Sequence, residues 1–150
     1  MIEFINKNKD RKICIIVSGD TGFYSLLSFL RKNYSREELN VIPGISSYQY
    51  LFSRIGEVWQ DYKLLSVHGR EAEYVDIFSK ERGIVLLTDN INTPYVIAKN
   101  IYEAGYRDVE IVVGERLSYP DEKITFINIE DYEKLNREFF INLMIVRKKS

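Results

Sequence analysis

Five consecutive apolar residues, 13–17 (ICIIV), stop abruptly at Ser18-Gly19-Asp20-Thr21-Gly22, and Phe23, Leu26, Leu27 and Leu30 then recur at helical spacing. This is the pattern of a buried strand, a tight glycine turn and a helix. A strand that is apolar at every position needs cover on both faces, so the chain is expected to build an α/β sheet in which this strand has neighbours. In open sheets of that kind ligands bind in the crevice beyond the carboxyl ends of the strands, which makes residues 19–24 the first place to look for chemistry. The single cysteine, Cys14, lies inside the run. It is expected to be a small buried hydrophobe rather than a catalytic thiol. With no internal disulfide to form, a reducing cytoplasm is the expected compartment.

The rest of the chain repeats the theme. Residues 1–12 resemble the tail of an amphipathic helix closing on a polar loop. A short strand at 40–42 enters Pro43-Gly44, and Ile45-Ser46-Ser47 opens a helix with Tyr48, Leu51, Phe52 and Ile55 on its apolar face. Both corners place serine hydroxyls and backbone N–H groups at a helix start, where the positive end of the helix dipole favours polar or anionic ligand atoms. After a linker at 57–61 the series restarts. A strand at 62–67 leads to the turn His68-Gly69-Arg70, a helix at 71–79 and a buried strand at 84–88. Thr93 as N-cap, Pro94 at the first helical position and Gly105 past the end then frame a helix. A buried run at 109–113 ends in Gly114-Glu115-Arg116-Leu117, followed by a strand at 124–127, a helical turn at 129–135 and a closing strand at 139–146. The last connections are too short for parallel crossovers, so some of these strands are expected to be antiparallel. The chain therefore divides into an N-terminal α/β lobe (1–56), a linker (57–61) and a C-terminal α/β lobe with a mixed sheet (62–150).

At 150 residues, with 45% hydrophobic and 29% charged residues and a net charge of -1, the chain is expected to fold as a soluble globule. Nothing in its bulk charge favours nucleic acid, and no apolar segment approaches the roughly 20 residues needed to cross a bilayer. Partners must be argued from local sites, and each site residue has a plain structural alternative. His68, the only histidine, serves either as a structural hydrogen-bonding group or as a cleft residue that orients substrate or assists proton loss; without a cluster of ligands no metal is expected. Asp20 and the serines of the second corner are helix caps, ligand contacts, or both. Glu115 and Arg116 are expected to form a surface ion pair of little energetic weight.

Taken together, Ser18 to Tyr24, Val41 to Ser47, Trp59-Gln60-Asp61, Ser66 to Arg70, Leu87-Thr88-Asp89, Asn92-Thr93-Pro94 and Val113 to Leu117 resemble, in the right order, the tetrapyrrole methylases. The likeness runs from about residue 13 to residue 146. It implies a two-lobed class III methyltransferase fold that binds S-adenosyl-L-methionine between its lobes, usually as a homodimer. Within the family it is similar to the members that methylate ring carbon 5 of a precorrin, with or without cobalt, in cobalamin biosynthesis. A separate carbon-15 methylating and decarboxylating subunit is an implied partner. By position, Gly19, Asp20 and Phe23 match the turn that cradles the cofactor, Ser46 and Ser47 the corner beside its methionine or adenosine portion, and Thr88 and Gly114 its far wall. The implied reaction is direct displacement at the sulfonium methyl by an electron-rich ring carbon, with catalysis chiefly by alignment. Arg54, Arg70 and Arg116 are then candidates for the carboxylates of the macrocycle, because arginine pairs carboxylates bidentately. His68 is the candidate catalytic residue.

Two departures stand out. The family's Gly-x-Gly-Pro-Gly-Asp loop is absent, so the first lobe is expected to be incomplete, and Thr21 replaces the proline that usually follows the aspartate. A non-catalytic α/β module therefore remains an alternative. A generic nucleotide binder ranks below both, since neither a P-loop nor a dinucleotide fingerprint is present.

Overall fold

In the second half of the chain the apolar runs become strands because each finds a partner. β1 (Tyr62–Ser66), β2 (Gly83–Leu87), β3 (Val109–Glu115), β4 (Lys123–Asn128) and β5 (Asn142–Lys148) form one sheet in the order β1-β2-β5-β3-β4. β1 and β2 are parallel and the other three pairings antiparallel, which is the mixed sheet the short connections predict. The computed structural model describes residues 1–67 and 73–149.

Alternate residues along each strand go to opposite faces. Ile84, Leu86, Ile111, Val113, Met144 and Val146 face a core closed by Phe78 of α4 (Tyr74–Lys80), by Ile97 and Ile101 of α5 (Pro94–Glu103), and by Ile129 and Leu135 of the 3₁₀ segment Ile129–Leu135. On the other face Val85, Ile145 and Val112 stand in register across three strands, all buried. The helix Ser47–Ile55 brings Leu51 and Phe52 to that face. Leu51 approaches Gly114, and the Phe52 ring meets Tyr62 edge-on with centroids 4.9 Å apart. Cover on both faces is what the apolar stretches of β2, β3 and β5 require. α5 is punctuated as its sequence predicts: the Thr93 hydroxyl accepts the Val96 N–H at 3.3 Å, Pro94 opens the helix and Gly105 takes φ +96° just past its end.

By internal packing the chain divides into two compact units, Met1–Ser46 and a second that begins at Ser47. The helix Ser47–Ile55 thus goes with the sheet that buries Leu51 and Phe52, whereas the sequence organisation places the division at 57–61. The first unit contains two short helices, α1 (Ile2–Lys7) and α2 (Leu27–Leu30), with α3 being Ser47–Ile55 of the second unit.

Here the sequence expectations need correction. Residues 13–17 and 40–42 are not strands, because among the described residues no segment pairs with either, and a strand exists only as part of a ladder. Ile13, Ile15 and Ile16 are exposed, Ile16 by 91%, and Cys14 is exposed rather than buried. The helix expected from Phe23 shrinks to one turn at Leu27–Leu30. Tyr24 adopts φ +47°, a left-handed conformation that interrupts a right-handed helix, and the Leu27 N–H instead reaches back to the Thr21 carbonyl at 3.4 Å. Among the described residues no helix is long and apolar enough to cross a membrane.

Candidate functional site

In the first unit the two glycine corners meet. Gly19 has φ +72°, and a Cβ on Gly44 would overlap the Gly19 carbonyl oxygen and lie 3.1 Å from its carbon. Glycine at 44 is therefore a requirement of close backbone approach. Asp20 folds its carboxylate over the turn, where Oδ1 accepts the Gly22 N–H at 2.9 Å. It stabilises the turn itself and not a helix starting at Gly22, since regular helix begins only at Leu27. Phe23 packs edge-on against Tyr24 with centroids 4.9 Å apart, and Ser46 is buried. Gly19, Asp20, Phe23, Gly44 and Ser46 thus belong to one compact unit, while Ser47 is the first residue of the second.

In the second unit β1, β2 and β3 run in the same direction, so their carboxyl ends share one edge of the sheet with the start of β5. Thr88 lies there. Its hydroxyl donates to the Asn142 side-chain carbonyl at 2.6 Å, and the Asn142 amide donates to the Phe140 carbonyl at 2.7 Å. Asp89 closes the adjoining loop by accepting the N–H groups of Ile91 and Asn92, and the Asn92 side chain donates to the Val67 carbonyl at 3.2 Å. Glu115, opposite Asn142 in register, is buried and paired through both oxygens with Arg137. That hydrogen bonding raises the Arg137 pKa against the opposing effect of burial. The surface pair expected between Glu115 and Arg116 does not form, because Glu115 points to Arg137 and Arg116 to Asp121 at 2.6 Å. Gly114 shares this edge, but a Cβ there would meet Leu117 at 2.9 Å and Leu51 at 3.0 Å, so side-chain packing accounts for its glycine.

Of the three candidate arginines, two are described, and each is held by an acid of the hairpin 116–122. Arg54 of α3 donates to Glu122 at 2.8 Å, and Arg116 faces Asp121 with its guanidinium 4.8 Å from the Tyr119 ring centroid. Glu122 also accepts the Ser118 N–H at 2.7 Å, and together with Arg54 and the Tyr50 hydroxyl this bond holds its pKa below the ordinary carboxylate value. Arg116 lowers the pKa of Asp121 in the same way. His68 and Arg70 lie outside the described residues. Sequence reasoning missed Asn142, Arg137, Asp121 and Glu122. Thr88 and Asn142 are 54 positions apart, and only the strand register, which no local pattern reveals, makes them neighbours. Among the described residues no group of three or more His, Cys, Asp or Glu side chains is placed to hold a metal ion.

The family model for tetrapyrrole (corrin/porphyrin) methylases matches residues 2–133. A cobalt-precorrin-7 C(5)-methyltransferase from Salmonella typhimurium is 27% identical over 146 residues, covering 97% of this chain and 71% of that protein. Among solved structures, the precorrin-6Y methylase of cobalamin biosynthesis from Archaeoglobus fulgidus superposes with a TM-score of 0.70 at 20% identity, over 99% of this chain and 69% of its own. A uroporphyrin-III C-methyltransferase from Thermus thermophilus complexed with S-adenosylhomocysteine gives 0.62 at 21% identity, over 86% and 62%. With a mixed sheet matched almost end to end and a family model spanning most of the sequence, this chain belongs to the tetrapyrrole (corrin/porphyrin) methylases, a methyltransferase family, and shares their α/β fold.

Proposed function

We propose that this chain serves in S-adenosyl-L-methionine-dependent methylation of ring carbon 5 of a precorrin or cobalt-precorrin, the reaction named for its relatives. The observation that supports this reading is the meeting of the two glycine corners, which puts the turn matched to the cofactor cradle and Ser46 of the second corner in one unit. Backbone exposed at Gly19, the Asp20 carboxylate, the Phe23 ring and the Ser46 hydroxyl fit the amino, carboxylate and hydroxyl groups of such a donor. Ser47, Thr88 and Gly114 extend the assignment to the second unit. The donor, when bound, supplies a methyl group on sulfonium. The chain's own contribution is alignment: holding donor and acceptor in fixed geometry removes most of the entropic barrier to a direct displacement. Arg54, Arg70 and Arg116 are assigned to the carboxylates of the acceptor, and His68 to orienting it or assisting proton loss. The expected assembly is a homodimer, which sedimentation checks.

Titration with S-adenosylhomocysteine in a calorimeter tests the assignment. Micromolar binding is expected, weakened about tenfold or more by Asp20→Ala or Ser46→Ala with the circular dichroism spectrum intact, since one charge-assisted hydrogen bond is worth about 1.5–3 kcal/mol. Unchanged affinity in both variants would remove the corner from the site. The second reading, a non-catalytic α/β module, is favoured by the failure of residues 13–17 to join a sheet, and it predicts no heat of binding at all.

A further inference from the structure

Thr88 and Asn142 form a cross-strand pair. The register of β2 and β5 sets Leu87 opposite Leu143, so position 88 follows opposite 142, where β2 ends and β5 begins. Which of the two side chains supplies the shared proton is fixed by the surroundings. Asn142 Nδ2 lies 2.7 Å from the Phe140 carbonyl oxygen, a place only a donor can take, so Oδ1 is the atom that faces Thr88. Oδ1 can only accept, and at 2.6 Å the hydrogen between the two oxygens is the one on the Thr88 hydroxyl. The Asn142 backbone carbonyl, 3.5 Å from the same hydroxyl, is too far to hold it instead. Glu115, opposite Asn142 on β3, turns both oxygens to Arg137. Thr88 is half-buried, and with its one proton committed it has only the lone pairs of Oγ1 to offer.

We propose that Asn142 is a positioning residue that fixes Thr88 as a hydrogen-bond acceptor, so that this end of the sheet takes an O–H or N–H group of its ligand and turns carboxylates away. A free hydroxyl would serve either kind of group by rotating. Here, rotation towards an acceptor breaks the bond to Asn142 and leaves two oxygens facing each other at 2.6 Å with no proton between them, a penalty that a carboxylate ligand cannot avoid. A hydroxyl or amino group gains a bond to an oxygen that is already oriented. The methyl donor carries groups of both kinds, so the pair decides which part of it lies at Thr88: a ribose hydroxyl or an amino group, not its methionine carboxylate. This inference rests on the proposed assignment of Thr88 to the cofactor.

The test is a double-mutant cycle read by calorimetric titration with S-adenosylhomocysteine. Thr88→Val keeps the shape of the side chain and removes the hydroxyl, and it is expected to weaken binding about fivefold, the worth of one neutral hydrogen bond. Asn142→Ala releases the hydroxyl among three staggered positions, of which the ligand needs one, and is expected to weaken binding about threefold. Added to Thr88→Val, Asn142→Ala is expected to cost nothing further, because Asn142 acts through the hydroxyl alone. An equal loss in both backgrounds, as a merely structural role would give, overturns the proposal, and so does full affinity in Asn142→Ala. A second measurement does not depend on how Asn142→Ala folds. In the ligand-free protein, Thr88→Val is expected to move the Asn142 Cγ resonance upfield while the Nδ2 protons bonded to Phe140 stay in place, and an unmoved Cγ overturns the proposal. Absence of binding heat with the unaltered protein defeats the methyltransferase reading and this inference together, whereas normal binding with equal losses in the two backgrounds defeats this inference alone.

Discussion

Gly44 and Gly114 are both glycine for want of room, yet what fills the room differs. At Gly114 the obstacles are the methyl ends of Leu117 and Leu51, which give by small rotations. Gly114→Ala is therefore expected to cost about 1–3 kcal/mol from overpacking, offset in part by about 0.4–1 kcal/mol from a stiffer unfolded chain, and to be seen as a lowered urea midpoint. At Gly44 the obstacle is the Gly19 backbone carbonyl, which no side-chain rotation moves. Gly44→Ala must displace the neighbouring corner itself, and large shifts in the Gly19 and Asp20 amide resonances are the expected sign; unmoved resonances would show that the corners do not touch. The presence of both glycines was plain in the sequence, but the reason for each was not. Gly44 meets a residue 25 positions away and Gly114 one 63 positions away, and proximity across such distances is a product of the fold.

At the scale of elements, the hairpin 116–122 is fastened by charge, and its response to pH has a definite sign. Asp121 and Glu122 both have folded-state pKa values held below the ordinary carboxylate value, Asp121 chiefly by Arg116 and Glu122 chiefly by the Ser118 N–H. A lowered carboxylate pKa means stabilisation that is fully present above the unfolded-state value of about 4 and is lost as pH falls through the folded value. The anchoring is thus flat through neutrality and weakens only in acid. Carboxyl-carbon NMR titration should place each midpoint below the ordinary value of its own residue type, and midpoints at or above those values would show the acids unpaired. Elements whose signals are local were legible beforehand: α5 carries its own cap, proline and terminal glycine, and the turn at Ile129–Leu135 falls where the sequence places it. The hairpin's anchors were not, because Arg54 precedes Glu122 by 68 residues.

For the molecule as a whole, the most instructive comparison is between two apolar runs that look alike on paper. Residues 109–113 (VEIVV) lie in β3, with β5 on one side and β4 on the other, and Ile111, Val112 and Val113 are fully buried. Residues 13–17 (ICIIV) have no strand on either side among the described residues and leave Ile13, Ile15 and Ile16 exposed. Local composition announces that a segment would be stable as an inner strand; whether it becomes one depends on neighbours that the segment does not encode. In the first unit the consequence is a groove of about 640 Å³ whose wall mixes apolar side chains such as Ile13, Ile15, Leu26 and Leu30 with Arg11, Lys12 and Glu38, and Ile16, Ile42 and Ile45 are exposed. Large aliphatic side chains exposed beside a groove offer binding surface to an apolar dye. The protein is therefore expected to bind the dye ANS strongly near neutral pH with its second-unit sheet intact, and Ile16→Lys with Ile42→Lys is expected to cut that fluorescence at least by about half, in proportion to the apolar area removed from the patch. Trp59 supplies the control, since an unchanged near-ultraviolet signal from its edge-on contact with Tyr48 at 5.2 Å would show that the second unit keeps its packing. Weak ANS binding by the unaltered protein would show that the apolar surface of residues 13–17 is covered in solution.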